Sequence, residues 1–431
     1  MAQLEKGSKK LLNAWAFYDW ANSVYSLVIA SAIFPIFYDA LFSSNNITHV
    51  PVFGTSIKST ALISFVTAFA FLVVAFISPL LSGIADYAGN KKGFLQMFCY
   101  LGGVSCIGLY WFDLDNLYLS LACYFFGLIG FWGSLVFYNS YLPDIAYPDQ
   151  QDAVSARGYS MGYIGSVILL VINLAMVMSV EKAEKIEMMR YSFISVGVWW
   201  ILFSQYTYYY LPKGNKPQNK VSRDVMFNGF KELQKVWQQL KHNITLKRYL
   251  GAFFVYSMAV QTVMLVATYF GAKEIDWGKD SGAKQMGLIV SILLIQLIAV
   301  AGAMITSKLS SKYGNIKTLI GINIVWAVIC ISAFFVTLPI HFYVTAAFVG
   351  LVMGGIQSLS RSTYSKFLPE TKDTASFFSF YDVTEKIGIV IGMLLYGAID
   401  QIFGSMRYSI VFLTLFFIIG IFLLLRVNRN K

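Results

Sequence analysis

The recurrence of long apolar stretches from end to end narrows what this chain can fold into more than any other feature. Segments at 12–42, 58–85, 94–112, 116–142, 155–180, 191–211, 249–272, 285–308, 316–338, 342–366, 376–400 and 406–425 fit the roughly 17–25 residues with which an α-helix crosses a bilayer. In hydrocarbon each backbone N–H and C=O must be satisfied within its own segment, so such stretches become helices. The reading is an all-α integral membrane protein with twelve transmembrane helices. Only 13% of the residues are charged, against about 25% in soluble domains. The four cysteines, Cys99, Cys106, Cys123 and Cys330, all fall inside spans with no C-x-x-C pair, which argues against a disulfide or metal framework. Neither a cofactor nor a metal is expected.

The first stretch, Leu11 to Phe42, exceeds a signal-peptide core of about 7–15 residues and is read as a retained span. With both ends of the chain placed in the cytosol, inside segments hold 24 of the 33 Lys and Arg, outside segments 8, and Lys386 remains within a span. Short basic loops stay cytoplasmic, so this bias predicts both termini inside, in the inner (cytoplasmic) membrane. The net charge of +11 then answers to topology and lipid headgroups and gives no reason to invoke nucleic acid.

The longest connection divides the chain into an N-terminal six-helix half (1–211), a linker (212–248) and a C-terminal half (249–431). Within the linker Phe227, Phe230, Leu233, Trp237 and Leu240 recur at helical spacing against Lys231, Lys235 and Lys241. That pattern predicts an amphipathic helix on the inner leaflet.

The halves repeat. YNSYLPDIA (138–146) aligns with YSKFLPETK (364–372) at an offset of 226, and GNKK (89–92) with GNIK (314–317) at 225. Two matches at nearly one offset, on the same side of the membrane, imply parallel six-span repeats about an axis along the membrane normal, with a central cavity between them. In SGIADYAGNKK, Gly83, Asp86, Gly89, Lys91 and Lys92 match the G-x-x-x-D-x-x-G-x-[RK]-[RK] signature of the major facilitator superfamily. Glycine permits a tight turn, while the carboxylate and lysines can pair across a gate in one conformation and part in another.

YDWANSVY (18–25), ARGYSMGYIG (156–165), GGIQSLSRSTYSKFLPE (354–370) and SFFSFYDVTEKIG (376–388) together resemble the vacuole-effluxer branch of that superfamily, the autophagy-related amino-acid effluxers and their bacterial relatives. For eukaryotic members the resemblance implies export of amino acids such as leucine, isoleucine and tyrosine from the vacuole; for bacterial members it leaves the substrate open. This chain departs from the pattern in the seventh span, where Tyr256-Ser257-Met258-Ala259-Val260-Gln261-Thr262 lacks the family's carboxylate. The second gate loop is degenerate too, with Ser311 in the place of Asp86.

Ionisable groups inside spans cost about 2.5–3.5 kcal/mol or more, so each is a functional candidate. In the first span Asp19 and Asn22 are i and i+3, and Tyr18, Asn22 and Tyr25 share a side, giving a stripe expected to face the cavity. Asp19 there could hold a proton, a sodium ion or a substrate ammonium, or pair with a basic group. In the eleventh span Asp382 faces both Glu385 and Lys386; an Asp382–Lys386 pair leaves Glu385 as the group free to titrate. In the tenth, Gln357 and Arg361 lie one turn apart, and Arg361 suits either a substrate carboxylate or a gate acid such as Asp144. Asn139, Tyr256 and Gln261 are further cavity candidates. Gly158, Gly162 and Gly165 read as a helix-packing face.

No phosphate-binding G-x-x-x-x-G-K-[ST] loop and no H-E-x-x-H occurs. The chain is therefore read as a secondary transporter, not an enzyme: a monomer that moves a small zwitterionic or polar metabolite, amino acids first, with protons as the coupling ion. A facilitator, a lipid-acting membrane enzyme and a non-transporting receptor are the rivals.

Overall fold

The computed structural model describes residues 4–52, 54–181, 184–213, 225–278 and 281–427. Twelve helices among them are long and apolar enough to cross a membrane: Lys9–Ser44, Ala61–Ala88, Lys91–Trp111, Leu117–Ile145, Gln151–Met178, Lys185–Tyr210, Ile244–Glu274, Lys284–Tyr313, Asn315–Ala333, Pro339–Phe367, Thr374–Phe403 and Met406–Val427. At 1.5 Å per residue a span of 30 residues is about 45 Å long, so many ends stand clear of a hydrocarbon core about 30 Å thick. The face at which the first span begins is called the near face below.

The repeated Gly-Asn pair has a backbone cause. Gly89 (φ 65°) and Gly314 (φ 86°) occupy positive-φ conformations that other residues resist. Each ends an even-numbered span and lets the next helix start within two residues, at Lys91 and Asn315. Asn90 then caps its helix by accepting from the Gly93 N–H.

Three local features were not expected. The first span is interrupted: its α-helix runs to Val24, a π-helical segment covers Tyr25–Ala32, and α-helix resumes at Ile33. Between the first two spans His49–Val52 and Thr55–Lys58 pair as an antiparallel hairpin. The linker helix forms at Val225–His242, but its buried line is Val236 and Leu240, while Phe230 (59% exposed) and Trp237 (44%) face outward. That helix packs along the second span and also touches the eleventh, where the half-exposed Trp237 ring lies 5.5 Å from Phe380 and Lys235 pairs with Asp373 at 3.4 Å. The side chain of Phe227 and residues 214–224 fall outside the described residues.

Apolar side chains collect into two cores, one running from Leu11 to Leu211 and the other from Val236 to Val427. Ala375 crosses into the first and Tyr163 into the second. Polar contacts between described residues of the two halves concentrate from the near face to mid-span.

Candidate functional site

The centre of the molecule is a buried ion pair between halves. Asp19, in the first α-helical segment of the first span, accepts from Arg361 of the tenth span at 3.2 Å (Nη2) and 3.3 Å (Nη1), and from the Tyr138 hydroxyl at 2.8 Å. Arg361 also donates through Nε to the Ser155 hydroxyl (2.9 Å), through Nη2 to the Ser155 backbone carbonyl (3.0 Å) and through Nη1 to the Asn139 side-chain oxygen Oδ1 (3.1 Å). A guanidinium has five N–H groups, and these contacts engage all of them. The rings of Trp15, Tyr138 and Tyr159 lie 4.8, 5.4 and 4.2 Å from its carbon, so three aromatic faces share the charge. Both side chains are sealed, at 2% and 6% exposure.

Gly158 makes this pair possible. A Cβ there would lie 2.4 Å from Asp19 Oδ2 and 3.1 Å from Arg361 Nη2. Gly162 and Gly165 face Ser23 and Trp20 of the first span at similarly short range, so the glycine face packs the fifth span on the first. Its first member does more than pack, since it leaves the space the ion pair fills.

The expected stripe of the first span is divided. Asp19 reaches the other half, whereas Tyr18 and Tyr25 point into the core of their own half. Tyr18 lies against Tyr138 and Tyr208, and Tyr25 lies against Phe131 and Trp200. The expectation that the whole stripe lines the cavity is thus corrected: residues seven apart share a side, and that side faces the fourth and sixth spans. Asn22, also buried, accepts from Ser23 at 3.4 Å. The alternative of an Arg361–Asp144 pair is corrected as well, because Asp144 is held by Lys91.

A second group is built on the eleventh span. Lys386 pairs with Asp382 one turn earlier and lies 4.0 Å above the ring of Trp132, on the fourth span of the other half. Glu385 accepts from Gln261 of the seventh span at 2.7 Å, and Tyr163 donates to Gln357 at 2.7 Å. Glu385, Gln261 and Gln357 are partly exposed, unlike Asp19 and Arg361. Tyr256 instead bonds Ser360 and Tyr249 within its own half.

On the near face Asp86 accepts from the Ala375 and Ser376 N–H groups (3.3 and 2.7 Å) and from the Ser376 hydroxyl (2.7 Å). These donors open the eleventh span, where unpaired N–H groups and the helix dipole favour an anion. Lys91 bonds Asp144 and, at 2.6 Å, the Thr374 hydroxyl; Lys92 donates to the Leu211 carbonyl at 3.1 Å. Gly89 makes the turn beside them, whereas Gly83 lies inside the helix of the second span, so its expected part in the turn is corrected. Sequence reading missed Asp152, whose place in the first turn of a helix is ordinary for an acid. It accepts from Ser310 (2.9 Å), Asn315 (2.9 Å) and Lys366 (2.7 Å). Ser155, Tyr159, Tyr163 and Trp132 were missed too, because a hydroxyl or aromatic ring inside a span carries no signal of its own.

Residues 7–431 match the family model described as vacuole effluxer Atg22 like. The chain belongs to this family. A similar curated protein is an uncharacterised MFS-type transporter, YxiO, of Bacillus subtilis (strain 168), 31% identical over 96% of this chain and 93% of that one. Autophagy-related protein 22 of Eremothecium gossypii is 27% identical over 97% and 91%. Among solved structures the human organic anion transporter MFSD10 superposes with a TM-score of 0.71 at 11% identity, covering 96% of this chain and 99% of that one. The E. coli fucose:proton symporter FucP does so at 0.69 and 15%, covering 98% of each. The fold is that of the major facilitator superfamily, and this member of the vacuole-effluxer family is a multi-pass membrane transporter, not an enzyme.

Proposed function

We propose that the chain is a secondary active transporter of small zwitterionic metabolites, amino acids first, and that protons drive it. The observation that carries this reading is the sealed Asp19–Arg361 pair, one charge from each half. The halves 1–211 and 249–431, joined by the linker 212–248, rock about this pair, with the near face and both termini in the cytosol of a bacterial inner-membrane protein. Arg361 is fully engaged while the near face is closed, so it acts there as a lock. A proton on Asp19 removes the negative charge from the lock, and a substrate carboxylate then takes the vacated guanidinium as a two-pronged partner. Proton plus carboxylate thus replace the aspartate. Partly exposed Glu385, Gln261 and Gln357 offer acceptors and donors for the substrate's ammonium end and a second proton position. Membership of the vacuole-effluxer family supports the effluxer part of this reading, and the fold shared with a fucose:proton symporter supports proton coupling by analogy.

Counterflow in proteoliposomes tests it. Vesicles loaded with unlabelled amino acids are expected to accumulate labelled amino acid from outside, faster when a pH gradient is imposed. Exchange of none of the common amino acids would discard the substrate class, and exchange indifferent to pH would discard proton coupling.

A further inference from the structure

The second gate loop has lost its acid, yet the face it guards is held shut. We propose that Asp152 is a gating residue that closes a second near-face clasp, equivalent to the one at Asp86 but with acid and hydroxyl exchanged between spans. The inference rests on the alternating-access reading above.

In the first clasp the carboxylate ends the second span and the hydroxyl, Ser376, opens the eleventh. The repeat maps the second span onto the eighth and the fifth onto the eleventh. At the offset of 225, Asp86 falls on Ser311, one residue from Ser310, and Ser376 falls on Gln151, one residue from Asp152. The second clasp is therefore made by the equivalent pair of helix ends. Here the hydroxyl, Ser310, lies at the end of the eighth span and the carboxylate opens the fifth. Asp152 is 7% exposed and Ser310 3%.

The second clasp has a wider reach. Asp152 also takes Asn315 from the ninth span and Lys366 from the tenth; Asn315 in turn donates to Thr363 at 2.9 Å and accepts from Lys366 at 3.2 Å. One carboxylate of the first half thereby binds three spans of the second. Asn315 is the asparagine of the repeated Gly-Asn pair, which explains why that motif survives in a loop whose aspartate is gone. The pseudo-two-fold axis sets the clasps on opposite sides of the near face. Releasing one leaves the other as a hinge, so full opening requires both.

Spin labels at Asp149 and Glu370, exposed near-face positions in different halves, read the opening as a distance distribution in the full-length protein with its four cysteines replaced. Asp152→Asn is expected to raise the near-open population roughly tenfold, the scale of one lost charge-assisted hydrogen bond. Asp86→Asn is expected to do likewise. The exchange variant Asp152→Ser with Ser310→Asp, which rebuilds the first clasp's arrangement in the second, is expected to return the distribution towards closed, a result that a purely structural role does not give. If Asp152→Asn cannot be purified folded, Ser310→Ala reads the same clasp by removing one bond. An unchanged distance in these Asp152 or Ser310 variants while Asp86→Asn opens the face overturns the inference and leaves alternating access standing. No opening in either clasp's variants overturns both.

Discussion

The two halves carry nearly the same loops and different charges. With Tyr18 of the first span set on Tyr256 of the seventh, an offset of 238, Ser257 stands opposite Asp19 and bonds the Phe254 carbonyl; at the offset of 226 Leu135 of the first half stands opposite Arg361. Each repeat thus contributes one unmatched ion to this pair, and the two meet across the axis. A symmetric pair of acids would repel at the centre, and a symmetric pair of arginines likewise. Divergence between the repeats is what gives the sealed interface one acid and one base instead of two like charges.

The largest expected effect comes from removing one member of that pair. Asp19→Asn leaves Arg361 buried without its counter-ion, at a cost of about 3–5 kcal/mol, and should abolish pH-dependent transport while folded protein still reaches the membrane. Adding Arg361→Met should return most of the stability and none of the transport. Thermal melting of the purified protein beside proteoliposome uptake reads both; normal pH-dependent uptake by Asp19→Asn would remove Asp19 from the mechanism.

Supplying the missing twin sharpens the comparison next. Ser257→Asp buries an acid for which no arginine waits, with an expected loss of about 3 kcal/mol; a melting temperature equal to the parent's would show that the second half tolerates charge at that depth. Gly158→Ala should cost roughly 1–3 kcal/mol by crowding the pair, with a larger fall in uptake than Gly165→Ala, which crowds only Trp20. Equal effects from the two would return Gly158 to plain packing.

The smallest effect on stability is expected at Glu385→Gln, which preserves shape beside Gln261. Amino-acid exchange should survive there while accumulation driven by a pH gradient falls. Unaltered gradient-driven accumulation in this variant would leave Asp19 as the sole candidate for coupling.

Much of this architecture is legible in the sequence because hydrocarbon leaves few options. Span number, the parallel repeat and the Gly89 and Gly314 turns follow from apolar length and backbone geometry, and the i, i+4 spacing of Asp382 and Lys386 foretells their pairing. What could not be read is which faces meet. Arg361 and Asp19 are 342 residues apart, and nothing local says that the fifth span would insert Ser155 and Gly158 beside them. Asp152 was hidden by looking ordinary, and Tyr18 and Tyr25 misled because a polar stripe inside a span can avoid lipid in two ways, by facing a lumen or by packing against neighbouring helices.

The π-helical segment at Tyr25–Ala32 reaches beyond the first span. A turn closed by i→i+5 bonds carries more residues per revolution than an α-turn. The span is therefore a splice of two rods with different angular phase. Its near rod is registered by Asp19, and its far rod, Ile33–Ser44, is free of that registration. Any helical wheel drawn through the whole span assigns the far rod to the wrong compass point, and far-side labels must be indexed from Ile33 instead.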